Sequence, residues 1–123
     1  MADTAREVLA RHANDAVCYL QTTGRRTGLP RTIEVWFGTD GERLYLLSGG
    51  RDRAAWVRNL CAQPAVRVRL GGTTLTGRAR VIEGEAHEQR ARQLLAGKYQ
   101  RWREGQPLSG WARSALPVEI ELG

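Results

Sequence analysis

Residues 19–37 read Tyr-Leu-Gln-Thr-Thr-Gly-Arg-Arg-Thr-Gly-Leu-Pro-Arg-Thr-Ile-Glu-Val-Trp-Phe. Two β-like runs flank a turn with two glycines, a proline and three arginines, so the stretch predicts a β-hairpin with a basic turn. Glycines let backbone N–H groups approach an anion, and arginines add charge-assisted hydrogen bonds. Anion binding and an ordinary solvated loop both fit this composition. The glycine spacing matches neither a Walker loop nor a dinucleotide fingerprint.

Short β-like runs separated by turns make up most of the remaining chain. The hydrophobic alternation predicts six strands, over residues 16–22, 31–38, 43–48, 65–70, 73–82 and 117–122. Helical patterns cover 3–14, 53–62 and 85–103, with a single turn at 111–113 and Asp52 as the expected N-cap of the second helix. Because hairpins dominate over βαβ units, we expect one mainly β, α+β domain over 1–123: a small antiparallel barrel with flanking helices.

Arginine dominates the charge of the chain. The net charge of the 123 residues is +6, and Lys98 is the single lysine among 19 basic residues. This excess is explained equally well by a GC-rich genome and by affinity for anions, because arginine grips phosphates and carboxylates with two bonds. No apolar run is long enough for a transmembrane helix and the first residues lack a signal-peptide pattern, so we expect a cytoplasmic protein.

Catalytic side chains are scarce. His12 and His87 have no metal-ligand companions at helical spacing, so no metal site is expected. Ser48 lacks a recognisable His and Asp partner, and Cys18 and Cys61 both lie in apolar contexts that predict buried, inert thiols. An enzyme of this composition would therefore depend on a bound cofactor for its reactive group.

Three further groups of residues are candidates for a site. Ser48 and Gly49 end a strand before the helix that carries Trp56 and Asn59, which suits either an anion or ordinary capping. Glu34 and Trp36 share one strand face, which would line a pocket beside a flat ring or simply face solvent. The late aromatics fit either a substrate pocket or helix packing; they are Tyr99, Trp102 and Trp111.

Several of these segments resemble a known family. Residues 20–31, Leu-Gln-Thr-Thr-Gly-Arg-Arg-Thr-Gly-Leu-Pro-Arg, are similar to the Leu-Thr-Thr-Thr-Gly-Arg-Lys-Ser/Thr-Gly-x-Pro-Arg signature of deazaflavin-dependent nitroreductases. A second block agrees as well: Leu-Tyr-Leu-Leu-Ser-Gly-Gly at 44–50, Trp-Val-Arg-Asn-Leu at 56–60, and Gln-Pro at 63–64. The resemblance extends over about residues 17–122. One departure is Ile33-Glu34-Val35, where the family often has Asn-Pro-Leu.

The resemblance implies a homodimeric split β-barrel, related to pyridoxamine-phosphate-oxidase-like flavoproteins, that binds coenzyme F420. By resemblance, Arg25, Arg26, Thr27 and Arg31 would hold the phosphate and tail carboxylates, with Pro30 shaping the loop. Glu34, Trp36, Ser48 and Gly49 would lie along the deazaflavin ring. Trp56 and Asn59 would support the ring pocket or the phosphate end, and Tyr99 and Trp102 would line a substrate region.

Three functions compete at this point. The first is hydride transfer from reduced coenzyme F420 to a small quinone, nitroaromatic or enone acceptor, with no catalytic side chain assigned. The second is an FMN-dependent split-barrel reductase, because FMN also carries a phosphate that suits the basic turn. The third is a non-catalytic module for an anionic ligand, lipid or nucleic acid. Arg67, Arg69, Arg78 and Arg80 favour this third function to some extent, but we expect them on a wet face or dimer edge and expect no nucleic-acid partner.

Overall fold

Seven strands form one curled sheet in the computed structural model, which describes residues 4–123. They are β1 (Cys18–Thr23), β2 (Pro30–Val35), β3 (Gly38–Thr39), β4 (Arg43–Ser48), β5 (Ala65–Leu70), β6 (Thr73–Val81) and β7 (Leu116–Leu122). Their order is β2-β1-β5-β6-β7-β4-β3, and all neighbouring pairs are antiparallel. The expected antiparallel fold with flanking helices is confirmed, but the expected number of six strands is wrong.

The additional strand arises where the predicted strand over 31–38 breaks. β2 and β3 come from this one segment, yet they lie at opposite edges of the sheet. The chain crosses between the edges at Trp36 and Phe37, and the Phe37 ring is buried. At Gly38 a Cβ atom would lie 3.0 Å from Leu95 and 3.1 Å from Leu94, so the backbone runs directly against a helix. The two edges therefore approach each other as in a partly closed barrel.

Within the described part of the chain, four α-helices flank the sheet: α1 (Ala5–His12), α2 (Ala55–Ala62), α3 (Glu88–Gln100) and α4 (Gly110–Ser114). Thr4 is the N-cap of α1 and accepts a hydrogen bond from the backbone N–H of Glu7; residue 3, which the predicted helix included, lies outside the described residues. The expected cap at Asp52 is wrong, because Asp52 lies within a 3₁₀ turn and Ala54 precedes α2. None of the helices in residues 4–123 is long and apolar enough to cross a membrane.

The concave face of the sheet holds the main core. Leu20 of β1 lies opposite both Val68 of β5 and Ile33 of β2, and Val68 lies opposite Leu75 of β6. This row is apolar, while the neighbouring row on the outer face is polar, as expected for a sheet with one solvated side. Helix α2 packs against the concave face near β1 and β6, which places its side chains beside the turn between β1 and β2.

Candidate cofactor site

The turn between β1 and β2 has a compact, glycine-dependent geometry. Gly24 donates a backbone hydrogen bond to the Leu29 carbonyl, and Gly28 donates one to the Gly24 carbonyl, both at 2.8 Å. Gly28 has a φ of 72°, in the left-handed region that favours glycine. A Cβ atom at Gly24 would lie 2.7 Å from Thr27 Oγ1, so the two glycines allow the loop to fold back on itself.

Asn59 of α2 holds this loop in place through hydrogen bonds to Arg25. Its side chain is 4% exposed, and its Oδ1 accepts hydrogen bonds from the Arg25 backbone N–H at 3.2 Å and the Arg25 guanidinium at 3.0 Å. Its Nδ2 donates to Thr22 Oγ1 at 3.2 Å. A buried amide that satisfies partners on both sides fixes its neighbours in one arrangement. The helix therefore sets the position of the Arg25 backbone and side chain together.

Three arginines give the loop its positive charge. Within residues 4–123, Arg25, Arg26 and Arg31 form no ion pair with a carboxylate. The backbone N–H groups of Arg26 and Thr27 also find no acceptor in the described part of the chain. Exposed arginines and free N–H groups that converge on one turn form a preorganised environment for an anion.

A cavity of about 580 Å³ opens beside this loop, between β2 and α2. Both the loop and Trp56 of α2 contribute to its lining. Seven residues proposed from the sequence line it: Arg25, Arg26, Thr27, Pro30, Arg31, Trp56 and Asn59. The structure adds Thr22, Gly24, Thr32, Ile33 and Ala55 to this lining.

A second cavity of about 310 Å³ lies further along β2. It is lined by Val17, Glu34, Val35, Trp36, Leu47 and Trp111. Because Ile33 borders the first cavity and Glu34 the second, the two follow consecutive residues of the edge strand β2. An edge strand carries backbone N–H and C=O groups that no neighbouring strand pairs. Both cavities thus lie beside the polar backbone of this edge strand, and we call the pair of cavities the β2 groove.

Aromatic rings form the far end of the β2 groove. Trp36 is 45% exposed, and its ring stacks on Tyr99 with centroids 4.3 Å apart and planes 4° apart. Trp111 meets the Trp36 ring edge-on, with centroids 5.6 Å apart. Glu34, which precedes this cluster, accepts a hydrogen bond from the Tyr19 hydroxyl at 3.3 Å. One face of Trp36 is thus supported while part of the ring remains open to the groove.

Four residues proposed from the sequence line neither cavity. Ser48 is buried and donates its hydroxyl to the Arg51 carbonyl at 3.0 Å, so it stabilises the turn after β4. Gly49 lies against Trp111, whose ring would be 3.4 Å from a Cβ at that position. Trp102 donates from its ring N–H to the Gln106 carbonyl at 2.8 Å. Tyr99 lies behind Trp36 and borders the groove only through that stack.

Sequence reasoning missed part of the lining and one cysteine. Trp111 belongs to the late aromatic group of the sequence, but only the crossing at Trp36 and Phe37 brings it next to Trp36 and the groove. The threonine pattern of β1 gave no sign that Thr22 would face Asn59. Burial raises the pKa of Cys18 to about 12, as suits an inert thiol. The expected burial of Cys61 is wrong, because Cys61 lies on the exposed side of α2.

Comparison with protein families identifies the family to which this chain belongs. The sequence model of the F420H(2)-dependent quinone reductase family matches residues 3–122. The chain belongs to this family. Membership places it among the oxidoreductases that use reduced coenzyme F420.

Solved structures support the split-barrel fold. An F420-H2 dependent reductase called FDR-A has a TM-score of 0.66 and 23% identity, over 89% of this chain and 95% of that protein. A conserved hypothetical protein from Mycobacterium tuberculosis has a TM-score of 0.71 and 20% identity, over 99% and 82% of the two chains. A Listeria innocua protein provisionally named pyridoxamine 5′-phosphate oxidase has a TM-score of 0.66 and 20% identity, over 94% and 88%. The fold is thus shared by the deazaflavin family and by pyridoxamine-phosphate-oxidase-like proteins.

Proposed function

We propose that the chain transfers a hydride from reduced coenzyme F420 to a flat, conjugated acceptor of the quinone, nitroaromatic or enone class. The observation that carries this proposal is the β2 groove itself. One end is a loop with three arginines that have no carboxylate partner among residues 4–123, and the other end is a partly open aromatic surface at Trp36. A cofactor with an anionic end and a planar ring is complementary to this groove. Its anionic end would lie at the arginines and its ring at Trp36.

Arg25, Arg26, Thr27 and Arg31 suit the phosphate and carboxylates of such a cofactor. Guanidinium groups bind these anions through two parallel bonds, and the free N–H groups of the loop add further donors. Pro30 begins β2 and, having no N–H, leaves the loop end of that strand without a donor. Trp56 and Asn59 close the inner side of the same cavity. These residues would orient the cofactor along β2, with Glu34 and Trp36 beside its ring end.

The protein contributes position and shelter from water more than side-chain acid–base chemistry. Reduced deazaflavin supplies the hydride when bound. Ile33, Val35 and Leu47 give the groove apolar walls, which limit water around the reacting rings. Holding the two flat rings in one orientation lowers the entropic part of the free-energy barrier to hydride transfer. Ser48 and Gly49 would act on the ring indirectly, through the turn after β4 and through Trp111.

A charge-matched pair of double variants tests this proposal. We expect Arg25→Ala with Arg26→Ala to raise the Kd for coenzyme F420 by at least about tenfold, since each charge-assisted bond contributes about 1.5–3 kcal/mol. Arg67→Ala with Arg69→Ala removes the same charge from the outer sheet face, where Arg69 lies 4.3 Å above the Tyr19 ring. Fluorescence titration of both should show a change only for the first variant. Equal losses in both would mean that general charge, not the loop, attracts the cofactor.

The choice between coenzyme F420 and FMN as the cofactor needs a second titration. Titration with FMN under the same conditions separates the deazaflavin enzyme from an FMN-dependent reductase. Tight FMN binding with no response to coenzyme F420 would overturn the proposed cofactor.

Turnover of a quinone, a nitroaromatic and an enone by the F420-loaded protein then ranks the acceptors. The homodimer and the cytoplasmic location remain predictions, and light scattering after size exclusion measures the first.

A further inference from the structure

The crossing between β2 and β3 is held by two adjacent side chains of α3. The Tyr99 hydroxyl accepts a hydrogen bond from the Phe37 backbone N–H at 3.1 Å and donates one to the Ala16 carbonyl at 2.8 Å. The Lys98 ammonium donates to the Phe37 carbonyl at 3.1 Å. Both backbone polar groups of Phe37, which no sheet neighbour pairs, are thereby satisfied from one helix.

Lys98 has a second contact with the same residue. Its Nζ lies 3.5 Å from the centroid of the Phe37 ring and 5.1 Å from that of Tyr99, within range of a cation–π attraction. Desolvation is the main cause that lowers the pKa of Lys98, to about 8. The one lysine of an arginine-rich chain is therefore half-buried beside the crossing between β2 and β3. Its compact ammonium fits the single carbonyl of Phe37 there.

Tyr99 connects the crossing between β2 and β3 to the β2 groove. Its hydroxyl binds the backbone next to Trp36, and its ring stacks on the Trp36 ring. Trp36 also meets Trp111, so movement of the crossing would change both aromatic contacts. Phe37 is buried and Gly38 packs tightly on α3, so the segment on the other side of Trp36 has little freedom.

We propose that Lys98 and Tyr99 are positioning residues that fix the orientation of Trp36 and thereby select which flat acceptors enter the aromatic end of the groove. This inference rests on the proposed function for the identity of the reaction. Neither side chain lines the cavities, so both act through Phe37 and Trp36 rather than by touching a ligand. The arginine loop at the other end of β2 would supply most of the cofactor's affinity, so a change in Trp36 should affect the acceptor more than the cofactor.

Four variants of α3 test this inference. Lys98→Met removes the ammonium, Lys98→Arg keeps the charge, and Tyr99→Phe removes the hydroxyl while keeping the stacked ring. Arg90→Met is the matched control, because Arg90 lies exposed on the same helix and loses the same charge without contacting Phe37. Each protein, loaded with coenzyme F420, is measured for cofactor Kd and for kcat and KM with two acceptors of different width.

We expect Lys98→Met and Tyr99→Phe to raise the acceptor KM by about fivefold or more, unequally for the two acceptors, which corresponds to the loss of one or two hydrogen bonds. Cofactor Kd should remain within about twofold, and Arg90→Met should change nothing. Lys98→Arg keeps the charge but not the compact ammonium, so it should lose less than Lys98→Met without matching the wild type. An acceptor KM that is unchanged in both Lys98→Met and Tyr99→Phe, or one that shifts together with cofactor Kd, would overturn the inference. If Lys98→Met fails to fold, the acceptor KM and cofactor Kd of Tyr99→Phe still decide it.

Hydrogen exchange at the Phe37 amide separates this inference from the proposed function. Tyr99→Phe and Lys98→Met should lower the protection of that amide by at least about tenfold relative to Arg90→Met, because local opening becomes easier. Unchanged protection would refute the positioning role, whichever cofactor the protein binds. A wild-type protein that binds no deazaflavin but keeps the Phe37 amide protected would refute the proposed function instead.

Discussion

Asn59 accepts two hydrogen bonds from Arg25, one from its backbone N–H and one from its guanidinium. This relationship joins residues that are 34 positions apart and belong to different elements. The bond to the backbone fixes the loop, while the bond to the side chain fixes the direction of a positive charge. Asn59 is buried and Arg25 is exposed, so a rigid helix directs an otherwise mobile side chain towards the groove.

Replacing Asn59 by alanine should therefore weaken cofactor binding although Asn59 itself carries no charge. We expect Asn59→Ala to cost about 1–3 kcal/mol of cofactor binding, because Arg25 and Thr22 both lose their partner. In a double-mutant cycle with Arg25→Ala, the two effects should be less than additive. Calorimetric titration measures the cycle, and Cys61→Ala, on the exposed side of α2, is the control. Additive effects would show that Asn59 does not act through Arg25.

Gly24 provides a separate test of the loop geometry. Gly24→Ala places a Cβ atom 2.7 Å from Thr27 Oγ1 and 3.2 Å from the Leu29 carbonyl oxygen. Thr27 must then give up its hydrogen bond from the Leu29 N–H, or the turn must widen. Cofactor Kd should rise by about tenfold or more as the N–H groups of the loop move apart, since a misplaced donor forfeits most of its bond. Gly28→Asn is the control, because asparagine tolerates a positive φ and nothing lies within 4 Å of that position. Equal affinities for Gly24→Ala and the wild type would show that the loop is adaptable.

Local patterns in the sequence predicted most of the fold. Alternation in residues 65–70 and 73–82 and the glycines between them are sufficient to indicate β5 and β6, because each signal is contained in a few neighbouring residues. The break at Trp36 was missed for the opposite reason. Alternation continues through Phe37, and only packing of Gly38 against α3 sends the chain to the other edge of the sheet.

The candidate site divides in the same way. The arginine loop was predicted because its glycines, proline and charges are adjacent in sequence. The contribution of Trp111 and the second contact partner of Asn59, Thr22, depends on distant segments meeting in space. The apolar neighbours of Cys61 predict an interior position, but Cys61 is exposed in the last turn of α2, next to the buried Leu60.

The two cysteines should differ sharply in reactivity. Cys61 is exposed, whereas burial raises the pKa of Cys18 to about 12 and leaves it protonated at ordinary pH. Because the thiolate is the reactive form, a thiol reagent at pH 8 should modify one cysteine in the native protein and both after unfolding. Cys61→Ser should abolish the native reaction. Rapid modification of two thiols in the native state would show that β1 opens readily.

Lys98 should make stability depend on pH in a defined direction. Its pKa falls from 10.5 to about 8, mainly through desolvation, while Cys18 and Asp15 act in the opposite direction. Between these two values the unfolded chain binds more protons at this residue than the native chain, so the free energy of unfolding rises with pH. The cost of holding a half-buried ammonium is present in full below pH 8 and is relieved above it.

Comparison with Lys98→Met isolates this contribution from other titrating groups. The raised pKa of Cys18 lowers stability at high pH, but it is present in both proteins and largely cancels in their difference. We therefore expect the wild type to gain stability relative to Lys98→Met between pH 7 and pH 10, measured by urea unfolding at several values. Arg90→Met should show no such change relative to the wild type. A constant difference between wild type and Lys98→Met would mean that the ammonium is fully solvated, and that its contact with the Phe37 carbonyl does not persist in solution.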